Sequence, residues 1–103
     1  MITEVFSVNL QQGVALDTAF EFAIKAAMYI NENFGTSTQV QRNVGGPVAQ
    51  LHVVSTHESL AQYEERSQKM QADEGYNSIV AEAREQGLFD ASSLVTNLYQ
   101  SVP

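Results

Sequence analysis

Few residues in this 103-residue chain could do chemistry, and the ones worth weighing fall on strand-like segments. His52 is the first, because imidazole as a residue type titrates near neutrality and can act as a general base or a ligand. It lies in an alternating stretch with Gln50 and Val54 as same-face neighbours. Ser7, Asn9, Asn97 and Tyr99 fall on the matching face of two other alternating stretches. The two asparagines could orient a carbonyl or dioxygen, and Tyr99 could donate a hydrogen bond. Arg42 is the one basic group on a strand. It could meet an anionic ligand, although pairing with a carboxylate across a dimer is the favoured reading. His52 is therefore the one candidate for catalysis. Ser7, Asn9, Arg42, Gln50, His52, Asn97 and Tyr99 form the candidate ligand-binding set. A lone histidine on a strand face more often serves as a hydrogen-bonded interface residue than as a catalyst, and Asn9, Gln50 and Asn97 could bridge a dimer through water.

Other residue types carry less. His57 reads as the solvated start of a helix beside Glu58, with no second ligand at metal-binding spacing. No metal or cofactor is expected. Glu64-Glu65 reads as an exposed helix face balanced by Arg66 and Lys69. Gly45-Gly46-Pro47 is turn chemistry and lacks the Lys-Ser or Lys-Thr of a phosphate loop. Tyr29, Tyr63 and Phe89 read as packing residues.

These side chains need elements to position them. Ile2 to Leu10 alternates, with Phe6, Val8 and Leu10 on one side and Val5, Ser7 and Asn9 on the other, which predicts a strand. Leu16 to Phe34 repeats at helical spacing through Leu16, Phe20, Ala23, Ile24, Ala27, Ile30 and Phe34, and Gly35 suits its C-terminal cap. Thr36 to Val44 and Val48 to Ser55 predict a strand pair joined by a short turn. Ser55 and Ser59 each begin a capping-box pattern. The helix that follows runs to about Ala72, and Asp73 caps a second segment that ends near Gly87. Ser92 to Val102 predicts the last strand, with Leu94 and Leu98 facing one way and Val95, Asn97 and Tyr99 the other.

The order is β-α-β-β-α-β, a ferredoxin-like α+β arrangement in one domain spanning 1–103. Right-handed crossovers put the first and third strands in the middle of a four-stranded antiparallel sheet. Helices would cover one face, leaving the other to meet a partner.

Composition narrows the partners. Twelve acidic against five basic residues give a formal charge of −7, and the basic residues are scattered, which argues against nucleic acid and against an anionic membrane surface. The absence of cysteine removes disulfides, thiolate metal sites and thiol nucleophiles. With no apolar run of membrane length and no export leader in view, the default expectation is a cytoplasmic protein.

One stretch resembles a known family. Gly46, Leu51-His52-Val53 on a strand, Ser59-Leu60 opening a helix, Glu65-Arg66 within it and Asp73-Glu74-Gly75-Tyr76 beyond it are similar to the NIPSNAP-type members of the dimeric α+β barrel superfamily. The resemblance implies a homodimer whose open sheets face each other around a cleft able to take a small, partly apolar molecule. Relatives include cofactor-independent monooxygenases, which implies an oxygenase as one alternative. A non-catalytic dimerisation or interaction module is the other.

Overall fold

The computed structural model describes residues 1–103. The strands are β1 (Ile2–Leu10), β2 (Ser37–Arg42), β3 (Gln50–His57) and β4 (Phe89–Gln100). The helices are α1 (Leu16–Phe34), α2 (Leu60–Ala72) and α3 (Glu74–Gln86). The sheet order is β2-β3-β1-β4 with every neighbour antiparallel, so β1 and β3 are central. This is the ferredoxin-like arrangement that the element order predicts.

The sheet's two faces follow from period-two alternation. Opposite pairs Val8↔Leu51, Phe6↔Val53 and Val40↔Val53 put one set of side chains against the helices. There Val8, Leu10 and Leu51 pack with Ala19 and Ala23 of α1 as the core. Pairs Ser7↔His52, Asn9↔Gln50, Val5↔Asn97 and Thr3↔Tyr99 lie on the other face, which no helix covers.

Several local expectations change. The helix α1 turns Ala19, Ala23 and Ala27 inward, whereas Ile24 is 49% exposed and Leu16 38%. The small residues, one turn apart, let α1 approach the sheet, so the buried stripe is rotated from the one the larger residues mark. The strand β3 runs through His57, because Thr3↔Thr56 and Ile2↔His57 extend its ladder. Ser55 is consequently a strand residue and caps nothing. Ser59 is the cap of α2, accepting from the Gln62 N–H at 3.1 Å, while Gln62 Oε1 accepts from the Glu58 N–H at 2.7 Å. Residues 43–49 form a longer connection than a tight hairpin turn.

The strand β4 begins at Phe89 rather than Ser92, with a register shift against β1 between Ser7 and Asn9. At the shift Ser93 Oγ accepts from the Asn9 N–H at 2.8 Å, replacing a ladder bond. The helix break falls where Asp73 stands: its carboxylate accepts from the Tyr76 N–H at 2.8 Å and from the Tyr29 hydroxyl at 2.5 Å. One side chain thus caps α3 and ties it to α1. Gly87 ends α3 with φ of 61°, a left-handed conformation that suits glycine.

Candidate functional site

The open face of the sheet brings together four of the seven candidate residues and recruits a fifth side chain. Ser7 and His52 are opposite one another in the ladder, and Ser7 Oγ lies 2.6 Å from His52 Nδ1. Asn43 Oδ1 lies 2.6 Å from His52 Nε2, the Asn43 amide donates to Gln50 Oε1 at 3.0 Å, and the Gln50 amide donates to Asn9 Oδ1 at 3.1 Å. The amide directions fix the rest. Asn43 Oδ1 must accept, so His52 carries its proton on Nε2 and accepts a hydrogen bond from the Ser7 hydroxyl at Nδ1. The result is a one-way chain, Ser7 to His52 to Asn43 to Gln50 to Asn9. Both ring nitrogens of His52 are engaged within the chain. Asn43 was absent from the candidate set although the predicted strand Thr36 to Val44 contained it; β2 ends at Arg42, and Asn43 reaches His52 from just beyond it.

The remaining candidates lie elsewhere. Asn97 and Tyr99 share the open face but pair with Val5 and Thr3, further along β1 from His52, and Tyr99 is 55% exposed. Arg42 is opposite Leu51, so its register belongs to the helix-side face, and it is exposed.

A more open, polar hollow lies at the strand ends, bordered by the candidate residues Asn9 and Gln50, and an apolar cavity lies on the helix side. About 380 Å³ of space lies between the sheet and helices α1 and α3, and 17 of its 21 lining residues are hydrophobic. Its origin is legible in residue size. Phe6, Val8, Leu51 and Val53 supply the floor, while Ala23, Ala26 and Ala27 of α1 and Ala83 of α3 are too short to fill the space above. Phe22 and Phe89, with ring centroids 6.3 Å apart, wall one end. The volume is within the range of small-molecule sites, about 300–1,000 Å³.

Glu4, Ser55, Tyr76 and Arg84 bring polarity to this largely apolar space. The Tyr76 phenol is held above its ordinary value, first by burial and then by the negative charge of Glu4. Glu4 Oε1 lies 3.3 Å from His57 Nε2, and His57 Nδ1 accepts from Arg66 Nη1 at 3.0 Å. Since Arg66 can only donate, the His57 proton sits on Nε2 and points at Glu4. His57 is 2% exposed, and Tyr63 packs edge-on against its ring at 5.4 Å between centroids. This corrects the expectation of a solvated helix start. Leu51, Val53, Ser55 and His57 share one face of β3, so alternation carries His57 inward. Arg66 likewise leaves the solvated face of α2, and its Nη2 donates to the Gly35 carbonyl at 3.0 Å. Lys69 alone pairs with Glu65, at 3.0 Å. Glu4 was missed, although its signal was present: it is the charged member of an otherwise apolar set, Ile2, Phe6, Val8 and Leu10.

A second pair links α1 to α3. The Tyr29 hydroxyl bond holds the Asp73 carboxyl below its ordinary value, aided by the Tyr76 N–H, and Asp73 in turn raises the Tyr29 phenol.

Comparison of the sequence with family models and with curated proteins finds no match. Solved structures do share the fold. An uncharacterised NIPSNAP domain protein from Burkholderia xenovorans superposes with a TM-score of 0.80 at 8% identity, over 99% of this chain and 95% of that one. SnoaB, a cofactor-independent oxygenase from Streptomyces nogalater, gives 0.70 at 11% identity, over 97% and 91%. A dimeric protein of unknown function with a ferredoxin-like fold from Bacteroides fragilis gives 0.68 at 10% identity, over 97% and 95%. The chain therefore has the fold of NIPSNAP proteins and of the ferredoxin-like dimeric α+β barrels. No helix is long and apolar enough to cross a membrane.

Proposed function

We propose that this chain is a NIPSNAP-like binding protein that takes a small, largely apolar molecule into the cavity between the sheet and helices α1 and α3. The observation that carries this reading is the 380 Å³ space with its predominantly hydrophobic lining. The pocket is thus assigned to the helix side of the sheet, opposite the face that strand alternation singled out.

The same reading gives the open face to a second copy of the chain. One helix layer leaves that face uncovered, Val95 and Tyr99 are about half exposed on it, and the polar chain around His52 is bonded within itself. A fold neighbour described as dimeric supports the same arrangement. Light scattering should give twice the chain mass of 11.3 kDa, and a monomer at micromolar concentration would remove this part of the reading.

Oxygenase chemistry centred on His52 is less well supported, because both its nitrogens are occupied and it lies on the face away from the cavity. The test of binding is direct. The chain has no tryptophan, so the emission of a naphthalene probe can be followed without indole interference. Naphthalene should bind saturably, and Ala83→Phe, which fills the cavity from α3, should weaken binding by about tenfold or more with the circular dichroism spectrum kept. Absent saturable binding, or binding indifferent to Ala83→Phe, would refute the proposal.

A further inference from the structure

Glu4 and Arg84 are the charged residues in the cavity lining, and the carboxylate of Glu4 is the one that the sheet itself holds there. It sits on the apolar face of a central strand, between Ser55 of β3 and Leu98 of β4 in the ladder. Its side chain is 20% exposed, and the cavity is what it borders. One oxygen, Oε1, is occupied by the His57 Nε2–H. The other, Oε2, receives no hydrogen bond from any side chain or backbone group. Ser55, which also borders the cavity, is not available to it, because its hydroxyl is engaged with Thr38 at 2.8 Å.

The surroundings hold this carboxylate in place. Arg66 donates to His57 Nδ1, and that fixes the imidazole proton toward Glu4. Arg66 is itself anchored through its bond to the Gly35 carbonyl at the end of α1. The neutral ring thus stands between a guanidinium and a carboxylate, and Glu4 is aimed rather than free to rotate. No buried side-chain oxygen or nitrogen in the molecule lacks a partner, so the free oxygen keeps contact with solvent, and a donor brought by an occupant would replace that contact with a hydrogen bond to a charged group. An ionised carboxylate accepts and does not donate, so it discriminates by sign: it favours a hydroxyl or N–H and gains nothing from an ether oxygen.

We infer that the cavity selects an apolar molecule ending in a hydrogen-bond donor, with Glu4 as the acceptor and His57 and Arg66 as its positioning residues. This rests on the proposed binding role of the cavity and adds the chemical class of what is bound. The Tyr76 hydroxyl borders the same cavity and has no protein partner, so a hydroxyl ligand could accept from it while donating to Glu4.

The test uses two probes of nearly the same shape, 1-naphthol and 1-methoxynaphthalene, with the native chain, Glu4→Gln and the control Glu64→Gln. Glu64 is exposed on α2, so the control changes net charge alone. Glutamine at position 4 keeps a carbonyl for His57 and presents an amide donor to the cavity in place of the carboxylate oxygen. The native chain and Glu64→Gln should bind the naphthol about tenfold or more tightly than its methyl ether, the discrimination expected of a hydrogen bond to a charged group. In Glu4→Gln that ratio should fall close to one while the ether still binds. Equal binding of both probes by the native chain, or an unchanged ratio in Glu4→Gln, would overturn the role of Glu4 and leave the cavity as a binding site. Binding of neither probe would overturn the binding role itself.

Discussion

Replacing His57 with leucine tests whether the buried Glu4–His57–Arg66 chain stabilises the fold or merely fills space. The imidazole is 2% exposed and makes two hydrogen bonds, each with a charged partner, at 3.3 and 3.0 Å. Bonds to charged groups contribute about 1.5–3 kcal/mol each. Leucine restores most of the volume, so little is lost through cavity formation. Arg66 keeps its bond to the Gly35 carbonyl, and Glu4 retains some solvent, so neither partner is fully orphaned. The expected loss is therefore near the lower bound of the sum, about 2–4 kcal/mol. For a domain of this length that corresponds to a fall of roughly 10–25 °C in unfolding midpoint. Urea denaturation at fixed chain concentration is the assay, because association would add its own contribution to apparent stability. His57→Gln retains one donor and one acceptor and should fall between the native chain and His57→Leu. A His57→Leu protein within about 0.5 kcal/mol of the native chain, the range of an ordinary surface change, would refute the reasoning.

Two further predictions concern the join between α1 and α3. A Cβ at Gly75 would lie 2.6 Å from Tyr29 Cζ and nearer still to the hydroxyl, so Gly75→Ala must drive the ring away and break its bond to Asp73. Spectroscopic titration should then show the Tyr29 phenol returning toward the ordinary tyrosine range; a phenol still raised would mean that the contact is absorbed elsewhere. The same bond makes stability depend on pH at both extremes. Asp73 is depressed when folded, so its contribution is present above the unfolded aspartate value of 3.8 and is lost as pH falls through the lower folded value. Tyr29 is raised when folded, so its contribution is present below the unfolded value of 10.0 and is lost as pH rises through the higher folded value. The stability gap between the native chain and Tyr29→Phe should be widest between about pH 5 and 9 and should narrow on both sides, and a gap independent of pH would exclude the linkage.

What could be read in advance was whatever periodicity controls. Alternation along β1, β3 and β4 assigned Ser7, Asn9, Gln50, His52, Asn97 and Tyr99 to one face, and the ladder pairs them so. The helix break was visible because Asp73 precedes a segment that ends at Gly87. Alternation does not say where a strand stops, and the extra turns of ladder in β3 moved His57 from a helix start into the interior. It also fails at a register shift, which is why β4 began at Phe89 rather than Ser92. Above all, a face pattern says which side chains meet a layer but not whether they fill it. The cavity depends on Ala23, Ala26, Ala27 and Ala83 standing opposite one another across two helices, a coincidence of three dimensions.

The contrast between the two histidines bears on which face does the chemistry. His52 invites a functional reading because it lies on an accessible strand face among polar groups. Yet its hydrogen-bonding capacity is spent on Ser7 and Asn43, and the chain continues from Asn43 through Gln50 to Asn9 without leaving an unmatched group at the ring. Such self-satisfaction suits a surface that must be covered, since a buried polar group costs least when its partners are already in place. His57 invites no such reading from its position, and its ring is just as fully engaged. The difference is in what lies one bond further on. The His57 chain ends on a carboxylate with an oxygen still open to a cavity lined mainly by carbon. Recognition requires an acceptor free of protein partners at the place where a ligand arrives, and that acceptor is at Glu4 rather than at His52. A His52→Ala protein should accordingly keep the naphthol-to-ether discrimination that Glu4→Gln loses, and loss of that discrimination in His52→Ala would return the site to the open face.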